Sequence, residues 1–313
     1  MSAGNKKDMK VIILMSVYNG YRYLKEQIES IRNQTIGYEN IYLVIRDDGS
    51  KDQSCQLIHQ MQDPHITLIE GENCGTADSF WKLIKETTAD ADYYAFADQD
   101  DIWYSSKLET AIECLNRTDT PQLYYSNAEI ADNDGRGTGR LLMKRQDHLS
   151  VPTIMAGLHA LGCTMVFNRT ALKVFQSVRL SGIEMHDRSC FLIMYLVGQV
   201  IFDSKPQLYY RQHENNVIGN EGKKGWIYYR KKLRRSYALW FRSRSHDAVI
   251  QSQDMLKNFG EQLKTTDRNY LYMIANYRSS WLFKKKLLLD KNIKTLNKRV
   301  RRSYCLRILI NVF

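Results

Sequence analysis

The chain has 313 residues, of which 43% are hydrophobic and 25% are charged, a composition typical of a globular protein with about two domains. This composition excludes a disordered chain, a collagen and a coiled-coil rod. Its apolar stretches are shorter than the roughly 18–20 residues of a bilayer span, and the first apolar run is too short for a secretory signal. We therefore expect a cytoplasmic chain without a membrane span. The six cysteines lack paired spacing, which argues against a zinc site or a disulfide framework.

The net charge of +11 is divided unevenly along the chain. Residues 1–220 hold 22 Lys and Arg against 28 Asp and Glu, a net charge of −6, whereas residues 221–313 hold 23 against 6, a net charge of +17. Such an asymmetry indicates a polyanionic partner for the C-terminal region, either nucleic acid or an anionic membrane surface. Composition alone does not distinguish these two partners.

Strands and helices alternate over the first hundred residues. Short apolar runs predict strands at Val11–Met15, Ile41–Ile45, Ile66–Ile69 and Tyr93–Ala97. Apolar residues at helical spacing predict helices over 21–34, after Asp52, and over 77–87. This alternation predicts a parallel sheet with crossover helices, in which ligands bind beyond the carboxyl ends of the strands.

The remainder of the chain changes from a mixed pattern to a helical one. Between 122 and 220 the pattern predicts strands at 123–130, 162–167, 200–202 and 208–211, and a helix at 188–196 whose start is marked by His186 and Asp187. After a glycine-containing linker at 222–225, three or four basic helices are predicted. We place the domain boundary after residue 220, with an α/β domain over 1–220 and a basic helical region over 221–313.

Three carboxylates follow the fourth predicted strand directly, at Asp98, Asp100 and Asp101. Such a cluster is self-repelling unless it binds a cation, and hard oxygen ligands suit Mg²⁺ or Mn²⁺. The alternative is helix capping, and we expect Asp101 to cap a helix over 103–114. Because capping explains only one of the carboxylates, the metal site is favoured.

Weaker signals follow the second and third predicted strands. Asp47 and Asp48 precede Gly49 and Ser50, a pattern that also describes an ordinary turn before a helix. Asn73 lies two residues before a glycine, which is again common turn chemistry. Their position at the same sheet edge is what makes them candidate ligand-binding residues.

Two further segments carry candidate functional groups. Asp187 lies at a predicted helix start, where the helix dipole stabilises a carboxylate anion that can act as a base, although a simple helix cap is an equal explanation. Arg211 and His213 follow the last predicted strand. The arginine fork suits phosphate, whereas a lone histidine is more often a packed or surface residue than a ligand.

Seven motifs occur in order in this part of the chain: SVYNG, RDDGSKD, ENCG, DQDDIW, GCTMVFN, MHDRS and YYRQHENNVIG. Together they closely resemble the family 2 glycosyltransferases with a GT-A fold, over residues 10–220. Within that family they are most similar to bacterial rhamnosyltransferases of cell-surface polysaccharide synthesis, which builds capsule and cell-wall polymers. The resemblance implies an α/β, Rossmann-like domain with a mostly parallel central sheet and flanking helices.

The resemblance also implies roles at the metal and the base. Asp98 and Asp100 match the family's D-x-D pair: Asp100 would ligate Mg²⁺ or Mn²⁺, and Asp98 would contact the nucleotide ribose or the metal through water. His213 matches a third metal ligand. Asp187 matches the general base, with His186 as an alternative base one residue away.

The remaining implied roles concern the nucleotide-sugar donor. Asp47 or Asp48 would accept the N3 hydrogen of the donor's pyrimidine. Arg211 would stabilise the leaving diphosphate together with the metal. The other residues that would line the nucleotide pocket are Val17, Tyr18 and Asn73.

The implied reaction is an inverting transfer of one sugar, or of a short defined run, to a saccharide acceptor. The chain lacks the Q-x-x-R-W signature and the membrane spans of the family's processive synthases. The rhamnosyltransferase-like motifs imply dTDP-L-rhamnose as the donor, with galactofuranosyl or hexosyl transfer as alternatives. A nucleotidyltransferase is disfavoured because the loop after the first strand lacks the glycine-rich, arginine-containing sequence of that class.

The basic region admits three interpretations. Aromatic and basic residues interleave over 226–241, which suits either RNA or an interfacial helix on an anionic membrane. Lipid-carried acceptors are common in surface-polysaccharide pathways, so we favour the membrane and expect no nucleic-acid partner. The alternative function of another class is a non-catalytic protein that binds nucleic acid through this region. Solvated helices with a homodimer interface are the third interpretation. The expected location is the inner face of the plasma membrane, as a peripheral protein with a lipid-linked acceptor.

Overall fold

The computed structural model describes residues 9–115, 118–143, 148–157, 160–182, 185–213, 248–311 and 313. The strands are β1 (Val11–Val17), β2 (Ile41–Asp47), β3 (Ile66–Glu70), β4 (Tyr93–Ala97), β5 (Ile102–Trp103), β6 (Gln122–Ala131), β7 (Gly137–Leu141), β8 (Met165–Asn168) and β9 (Gln199–Arg211). The helices are α1 (Tyr21–Arg32), α2 (Ser54–Met61), α3 (Thr76–Glu86), α4 (Lys107–Cys114), α5 (Val151–Ala156), α6 (Arg169–Ser177), α7 (His186–Val197), α8 (Ala248–Phe259), α9 (Thr265–Asn276), α10 (Trp281–Leu288) and α11 (Lys298–Leu309). Short 3₁₀ turns occur at Tyr38–Asn40, Gly162–Thr164, Tyr277–Ser279 and Asn292–Thr295.

The predicted alternation of strands and helices is confirmed, with local differences. The predicted strand over 162–167 begins as the 3₁₀ turn Gly162–Thr164 and becomes extended only at Met165. The strands predicted at 200–202 and 208–211 are one continuous strand, β9. The helix predicted from 103 begins at Lys107, because Ile102 and Trp103 pair with β9 as the short strand β5.

The sheet has nine strands in the order β3-β2-β1-β4-β8-β6-β9-β5, with β7 paired to β6. The pairings β3–β2, β2–β1 and β1–β4 are parallel, and β6–β9 is parallel as well. The pairings of β8, β5 and β7 are antiparallel. All seven residues of β1 are buried, as expected for a central strand covered on both faces.

The register of the parallel strands brings their carboxyl ends to one edge of the sheet. Val17 of β1 pairs with Asp47 of β2, which pairs with Glu70 of β3, while Met15 pairs with Ala97 of β4. The loops that follow β1, β2, β3 and β4 therefore begin at this edge. This is the position at which open α/β sheets bind their ligands.

The chain divides into two compact units. The first comprises Met1–Gln146, Ala160–Ser177 and Met185–Gln212, and it contains the sheet. The second comprises Asp147–His159, Val178–Glu184 and His213–Phe313. Two short segments that we predicted within the first domain thus group with the C-terminal helices, and the predicted boundary after 220 lies outside the described residues.

The second unit is helical and has its own core. It contains α5 and the four helices between 248 and 309, in agreement with the prediction of basic helices in this region. Its core includes Tyr277, Leu287 and Tyr304, and the Tyr277 hydroxyl both accepts a hydrogen bond from the Phe313 amide and lies 3.2 Å from the Phe313 carbonyl. The aromatic and basic pattern over 226–241 lies outside the described residues. Within the described part of the chain, no helix has both the length and the hydropathy required to cross a bilayer.

Candidate active site

The loop after β1 is joined to the loop after β4 through backbone contacts of Tyr18. The Tyr18 amide donates to Gln99 Oε1 at 2.8 Å, and Gln99 Nε2 donates to the Tyr18 carbonyl at 3.2 Å. Gly20 makes room for this pair, since a Cβ at that position would lie 2.3 Å from Gln99 Oε1. Val17 is fully buried beneath the loop, and the Tyr18 side chain is 46% exposed at the sheet edge.

Asp48 connects the loops after β2 and β3. Its Oδ1 accepts hydrogen bonds from Arg46 Nη1 at 2.5 Å and from the Cys74 amide at 2.9 Å, and its Oδ2 accepts one from the Gly75 amide at 2.8 Å. Burial alone would raise the pKa of Asp48, but the hydrogen bonds from Cys74, Arg46 and Gly75 outweigh burial and hold the pKa below its ordinary value. Asn73 Nδ2 donates to the Asp48 carbonyl at 3.0 Å. The sequence-predicted Asp48 and Asn73 therefore lie together.

Asp47 closes the turn after β2. Its Oδ2 accepts hydrogen bonds from the amides of Gly49 at 3.0 Å and Ser50 at 2.8 Å. Gly49 has a φ of +77°, and a Cβ there would lie 2.9 Å from the Asn73 amide nitrogen, so this turn requires glycine. Asp47 thus stabilises the turn and also lies at the sheet edge. The contact of Asp47 or Asp48 with a pyrimidine stays a prediction.

The residues after β4 form an acidic cluster together with a thiol. Asp98 is half-buried and Asp101 is fully buried, and their ligand atoms lie within 4.8 Å of each other and of the Cys163 Sγ. Burial and the charges of Asp100 and Asp187 raise the pKa of Asp98 to about 7. Burial and the charges of Asp100 and Asp98 raise the pKa of Asp101 well above its ordinary value.

The cluster fits a divalent cation. Asp98 and Asp101 lack full charge compensation, since burial and neighbouring carboxylates disfavour their ionised forms. A bound cation would reverse this effect, and carboxylate oxygens are the ligands that Mg²⁺ and Mn²⁺ prefer. The predicted ligands Asp98 and Asp100 both follow β4 at the sheet edge.

The prediction that Asp101 caps a helix is wrong. Helix α4 begins at Lys107 with Ser106 at its N-cap, five residues after Asp101. Asp101 instead accepts a hydrogen bond from the Arg211 amide at 3.2 Å through Oδ1 and is part of the acidic cluster. The pairing of β5 with β9 moves the helix start away from this aspartate.

Arg211 ends β9 with a buried guanidinium that contacts protein groups. Its Nε donates to the Asp100 carbonyl at 2.8 Å, its Nη1 donates to the Asn133 carbonyl at 2.9 Å, and its Nη2 forms an ion pair with Glu26. The Tyr23 ring centroid lies 4.8 Å from the guanidinium carbon. These contacts fix the backbone of the acidic loop, and the contact of Arg211 with a diphosphate stays a prediction.

Asp187 lies in the first turn of α7, as the sequence predicts. Its Oδ1 accepts a hydrogen bond from the Arg188 amide at 2.6 Å, and its Oδ2 accepts one from the Gly162 amide at 3.3 Å. Burial raises the pKa of Asp187 to about 6 against the effect of these hydrogen bonds. Its charge contributes to the raised pKa of Asp98, so the two carboxylates share one electrostatic environment. At neutral pH a carboxylate with this pKa is mostly ionised, and it accepts a proton more readily than an ordinary aspartate.

His186 is not placed to act as the alternative base. Its ring stacks on Phe80 with a centroid distance of 4.0 Å and meets the edge of Phe96 at 5.2 Å. The ring is 3% exposed, and burial lowers the pKa of His186 to about 3. This histidine is therefore a neutral, packed side chain at neutral pH.

Sequence reasoning missed Lys107 and Cys163, which are buried beside the acidic cluster. Lys107 lies on the buried face of α4 with Leu108 and Ala111. A lysine on an otherwise apolar helix face was the available signal, since lysine is almost never fully buried unless it is paired. Cys163 carried no comparable signal.

His213 is half-buried and belongs to the segment that groups with the second unit. The acidic cluster belongs to the first unit. The role of His213 as a third metal ligand stays a prediction.

Together, a mostly parallel sheet whose carboxyl edge carries an acidic cluster and a nearby buried carboxylate has the architecture of an α/β nucleotide-sugar transferase. Solved structures share this GT-A fold. TarS 1–349 of S. aureus, determined in complex with UDP-GlcNAc, matches with a TM-score of 0.56 at 16% identity, over 97% of this chain and 90% of that one. The mannosyltransferase PcManGT of Pyrobaculum calidifontis, determined with GDP-Man and Mn²⁺, matches with a TM-score of 0.51 at 14% identity, over 98% of this chain and 77% of that one.

Sequence comparison identifies the family. Residues 12–175 match the family model Glycosyl transferase family 2, and the chain belongs to this family. The dTDP-rhamnosyl transferase RfbG of Shigella flexneri is 29% identical over 218 residues, 66% of this chain and 73% of that protein. The UDP-Glc:alpha-D-GlcNAc-diphosphoundecaprenol beta-1,3-glucosyltransferase WfaP of Escherichia coli is 26% identical over 215 residues, 68% of this chain and 81% of that protein.

Proposed function

We propose that this protein is an inverting, metal-dependent glycosyltransferase that moves L-rhamnose from dTDP-L-rhamnose to a saccharide acceptor in bacterial surface polysaccharide synthesis. The observation that carries the proposal is that a chain of this family holds a buried carboxylate, Asp187, in the first turn of α7 and an acidic cluster directly after β4. The choice of rhamnose is supported by the name of the relative RfbG. A galactofuranosyl or hexosyl donor is the alternative within the same chemistry, and WfaP is named as a glucosyltransferase.

In the proposed mechanism Asp187 accepts the proton of an acceptor hydroxyl. The oxygen of that hydroxyl attacks the anomeric carbon on the face opposite the diphosphate, the bond to the diphosphate breaks, and the configuration inverts. Asp98 and Asp100, with His213 as the proposed third ligand, would hold Mg²⁺ or Mn²⁺. When bound, the cation supplies positive charge beside the leaving diphosphate. Arg211 keeps the backbone of Asp100 in place.

The proposed nucleotide pocket lies at the carboxyl edge of β1, β2 and β3. Tyr18 offers an exposed aromatic face there, above the buried Val17. Asp47 holds the turn after β2, and Asn73 donates to the Asp48 carbonyl; we refer to these three residues as the polar wall. We propose that the pyrimidine of the donor packs against Tyr18 and meets this wall with its N3 hydrogen.

A donor panel tests the proposed reaction. The purified chain is incubated with Mn²⁺ and with dTDP-L-rhamnose, UDP-glucose, UDP-galactofuranose or GDP-mannose, with saccharide-diphosphate lipids as acceptors, and the released nucleoside diphosphate is measured. We expect a preference for dTDP-L-rhamnose and a product whose anomeric configuration, determined by NMR, is inverted. Preference for another donor would contradict the rhamnose assignment, and retention would contradict the role of Asp187.

We further propose that the basic region 221–313 binds an anionic membrane surface at its cytoplasmic face, where a lipid-linked acceptor would be reached. Exposed apolar side chains on and next to α10 support this proposal, since Trp281 and Leu282 are 74% and 54% exposed, and Leu289, directly after the helix, is 61% exposed. Lys285 and Lys286 are exposed on the same helix. Tryptophan and leucine beside lysine are the composition of helices that lie in the headgroup layer. The competing interpretation is that a second copy of the chain covers this surface in a homodimer.

Vesicle binding tests the membrane proposal. We expect the full chain to co-sediment with vesicles that contain phosphatidylglycerol and to bind neutral phosphatidylcholine vesicles weakly. The variant Trp281→Ala/Leu282→Ser should bind at least about tenfold more weakly, because both apolar side chains would enter the headgroup layer. Leu141→Ser, an exposed apolar residue of the first unit, is the control. Unchanged binding of the double variant, together with its conversion from dimer to monomer, would assign the face to a second copy instead.

A further inference from the structure

Lys107 is a fully buried cation at the start of α4. Its side chain is 0% exposed. The ammonium Nζ donates to the Cys163 carbonyl at 2.7 Å and lies 4.5 Å from the centroid of the Trp103 ring. An unpaired ammonium in such a position costs several kcal/mol in typical proteins, so its surroundings must compensate its charge.

The compensating charges belong to the acidic cluster. Burial lowers the pKa of Lys107 to about 8, while Cys163, Asp101 and Asp98 act in the opposite direction. Conversely, Lys107 is a cation that acts against the raised pKa of Asp98. The geometry agrees, since the ammonium holds the carbonyl of Cys163, whose thiol lies within 4.8 Å of the carboxylate oxygens of Asp98 and Asp101. The acidic cluster therefore lies near a positive charge that the protein itself supplies.

The carbonyl that Lys107 holds belongs to the 3₁₀ turn Gly162–Thr164, and this turn contacts the proposed base. The amide of Gly162 donates to Asp187 Oδ2 at 3.3 Å, while the Cys163 thiol lies within 4.8 Å of the carboxylate oxygens of the cluster. A Cβ at Gly162 would lie 2.6 Å from His186 Nε2, so the turn is packed directly against α7. Two parts of the active site thus depend on the position of one turn.

We propose that Lys107 is a positioning residue that fixes the turn Gly162–Thr164 and serves as the internal counter-cation of the acidic cluster. Through the Gly162 amide it positions Asp187, the proposed base. Its positive charge partly balances the charges of Asp98 and Asp101 before a divalent cation binds. The metal-related part of this inference rests on the proposed function, because it assumes that the cluster binds a cation. The structural part requires no metal.

The variant Lys107→Met tests the proposal, with Lys85→Met as a matched control. Lys85 makes the same two kinds of contact, a hydrogen bond to the Gln176 carbonyl at 2.5 Å and a position 5.5 Å from the Trp81 ring centroid, but it is exposed. Binding of Mn²⁺ to the free protein is measured from the EPR signal of unbound Mn²⁺. The values of kcat and of KM for the donor are measured separately.

We expect Lys107→Met to bind Mn²⁺ on the order of tenfold more tightly, because a positive charge that repels the metal is removed. We also expect a lower kcat with a nearly unchanged KM for the donor, since Lys107 does not touch the donor. Lys85→Met should change none of these values. Unchanged or weaker Mn²⁺ binding by Lys107→Met would overturn the counter-cation role, and an unchanged kcat would overturn the positioning role.

A stability cycle decides the inference independently of metal binding and of activity. In metal-free buffer, Lys107→Met should lower the free energy of unfolding, and adding Asp101→Asn should recover part of the loss. Without the ammonium, the buried Asp101 is either ionised and uncompensated or protonated at a free-energy cost, and asparagine avoids both. The double variant also supplies a folded protein if Lys107→Met alone does not fold. If the two substitutions are additive, the inference is wrong. If the wild type does not bind Mn²⁺ but the cycle shows coupling, the proposed metal dependence fails while the role of Lys107 stands.

Discussion

The substitution Asp187→Asn is expected to stabilise the protein while it strongly reduces transfer. Asp187 is 2% exposed, and burial raises the pKa of Asp187 from 3.8 to about 6. A carboxyl group with a raised pKa in the folded state is protonated more readily there than in the unfolded chain. Its ionised form therefore destabilises the fold at neutral pH.

The magnitude follows from this pKa and from the two hydrogen bonds that the carboxylate accepts. At ~1.4 kcal/mol per pKa unit, ionised Asp187 costs about 3 kcal/mol of stability. An asparagine would keep the shorter bond from the Arg188 amide and would turn its NH₂ group towards the Gly162 amide, which loses a hydrogen bond worth ~1 kcal/mol. The expected net gain for Asp187→Asn is about 2 kcal/mol above pH 7.

The sign of the pH dependence provides an internal control. Between pH 3.8 and about 6 the unfolded carboxyl loses its proton while the folded one keeps it, so stability falls as pH rises through this window and is constant above it. The gain of Asp187→Asn should therefore appear as pH rises through the window and should be absent below it. An asparagine at the exposed Asp134 should give no such pH-dependent gain.

Urea unfolding of the wild type and of Asp187→Asn, at several pH values between 4 and 8, measures the difference in unfolding free energy. The turnover assay with the preferred donor measures kcat, for which loss of a general base predicts a decrease of about 10²–10⁴-fold. A pH-independent difference in stability would refute the assignment of the raised pKa to this group. Undiminished turnover would refute its role as the base.

Three further outcomes are expected. The kcat of the wild type should fall as pH drops below about 6, because Asp187 becomes protonated, and the residual kcat of Asp187→Asn should not show this fall. The variant His186→Phe should keep both kcat and its pH profile, since the ring is neutral and stacked on Phe80; a loss as large as that of Asp187→Asn would reinstate this histidine as the base. The variant Arg211→Met should lower the free energy of unfolding by ~1–3 kcal/mol, measured by urea titration, through loss of its bonds to Asp100 and Asn133, with a smaller effect on the KM for the donor. A large KM increase in a fully stable variant would restore the diphosphate contact.

The parallel half of the fold was predictable because its signals are local. Each of the first four strands is a short apolar run followed by polar residues, and the structure places the ends of these runs at one sheet edge. Asp187 was likewise predictable, since helix α7 begins where the sequence indicates. These assignments depend only on patterns within ten or fifteen residues.

What the sequence did not reveal at the site concerns contacts between distant parts of the chain. Asp101 has the local pattern of a helix cap, but Ile102 pairs with Tyr209, and this pairing delays the helix. The partners of the buried Arg211 guanidinium, which include Asn133 and Glu26, are likewise distant in the sequence, whereas its contact with a diphosphate stays a prediction. Neither set of contacts can be predicted from the neighbouring sequence, so the burial and the partners of Asp101 and Arg211 are known only from the structure.

The link between Tyr18 and Gln99 has a consequence for how donor choice could change. Both hydrogen bonds use the backbone of Tyr18, so they can form with any residue except proline at that position. Gln99 lies between Asp98 and Asp100 in the loop after β4. The hydrogen bonds of Gln99 therefore hold the loop that carries both aspartates, whichever side chain residue 18 presents to a nucleotide. If the proposed nucleotide pocket is correct, residue 18 can therefore be varied, by evolution or by design, to accept a different nucleotide base while the loop that carries both aspartates keeps its hydrogen bonds.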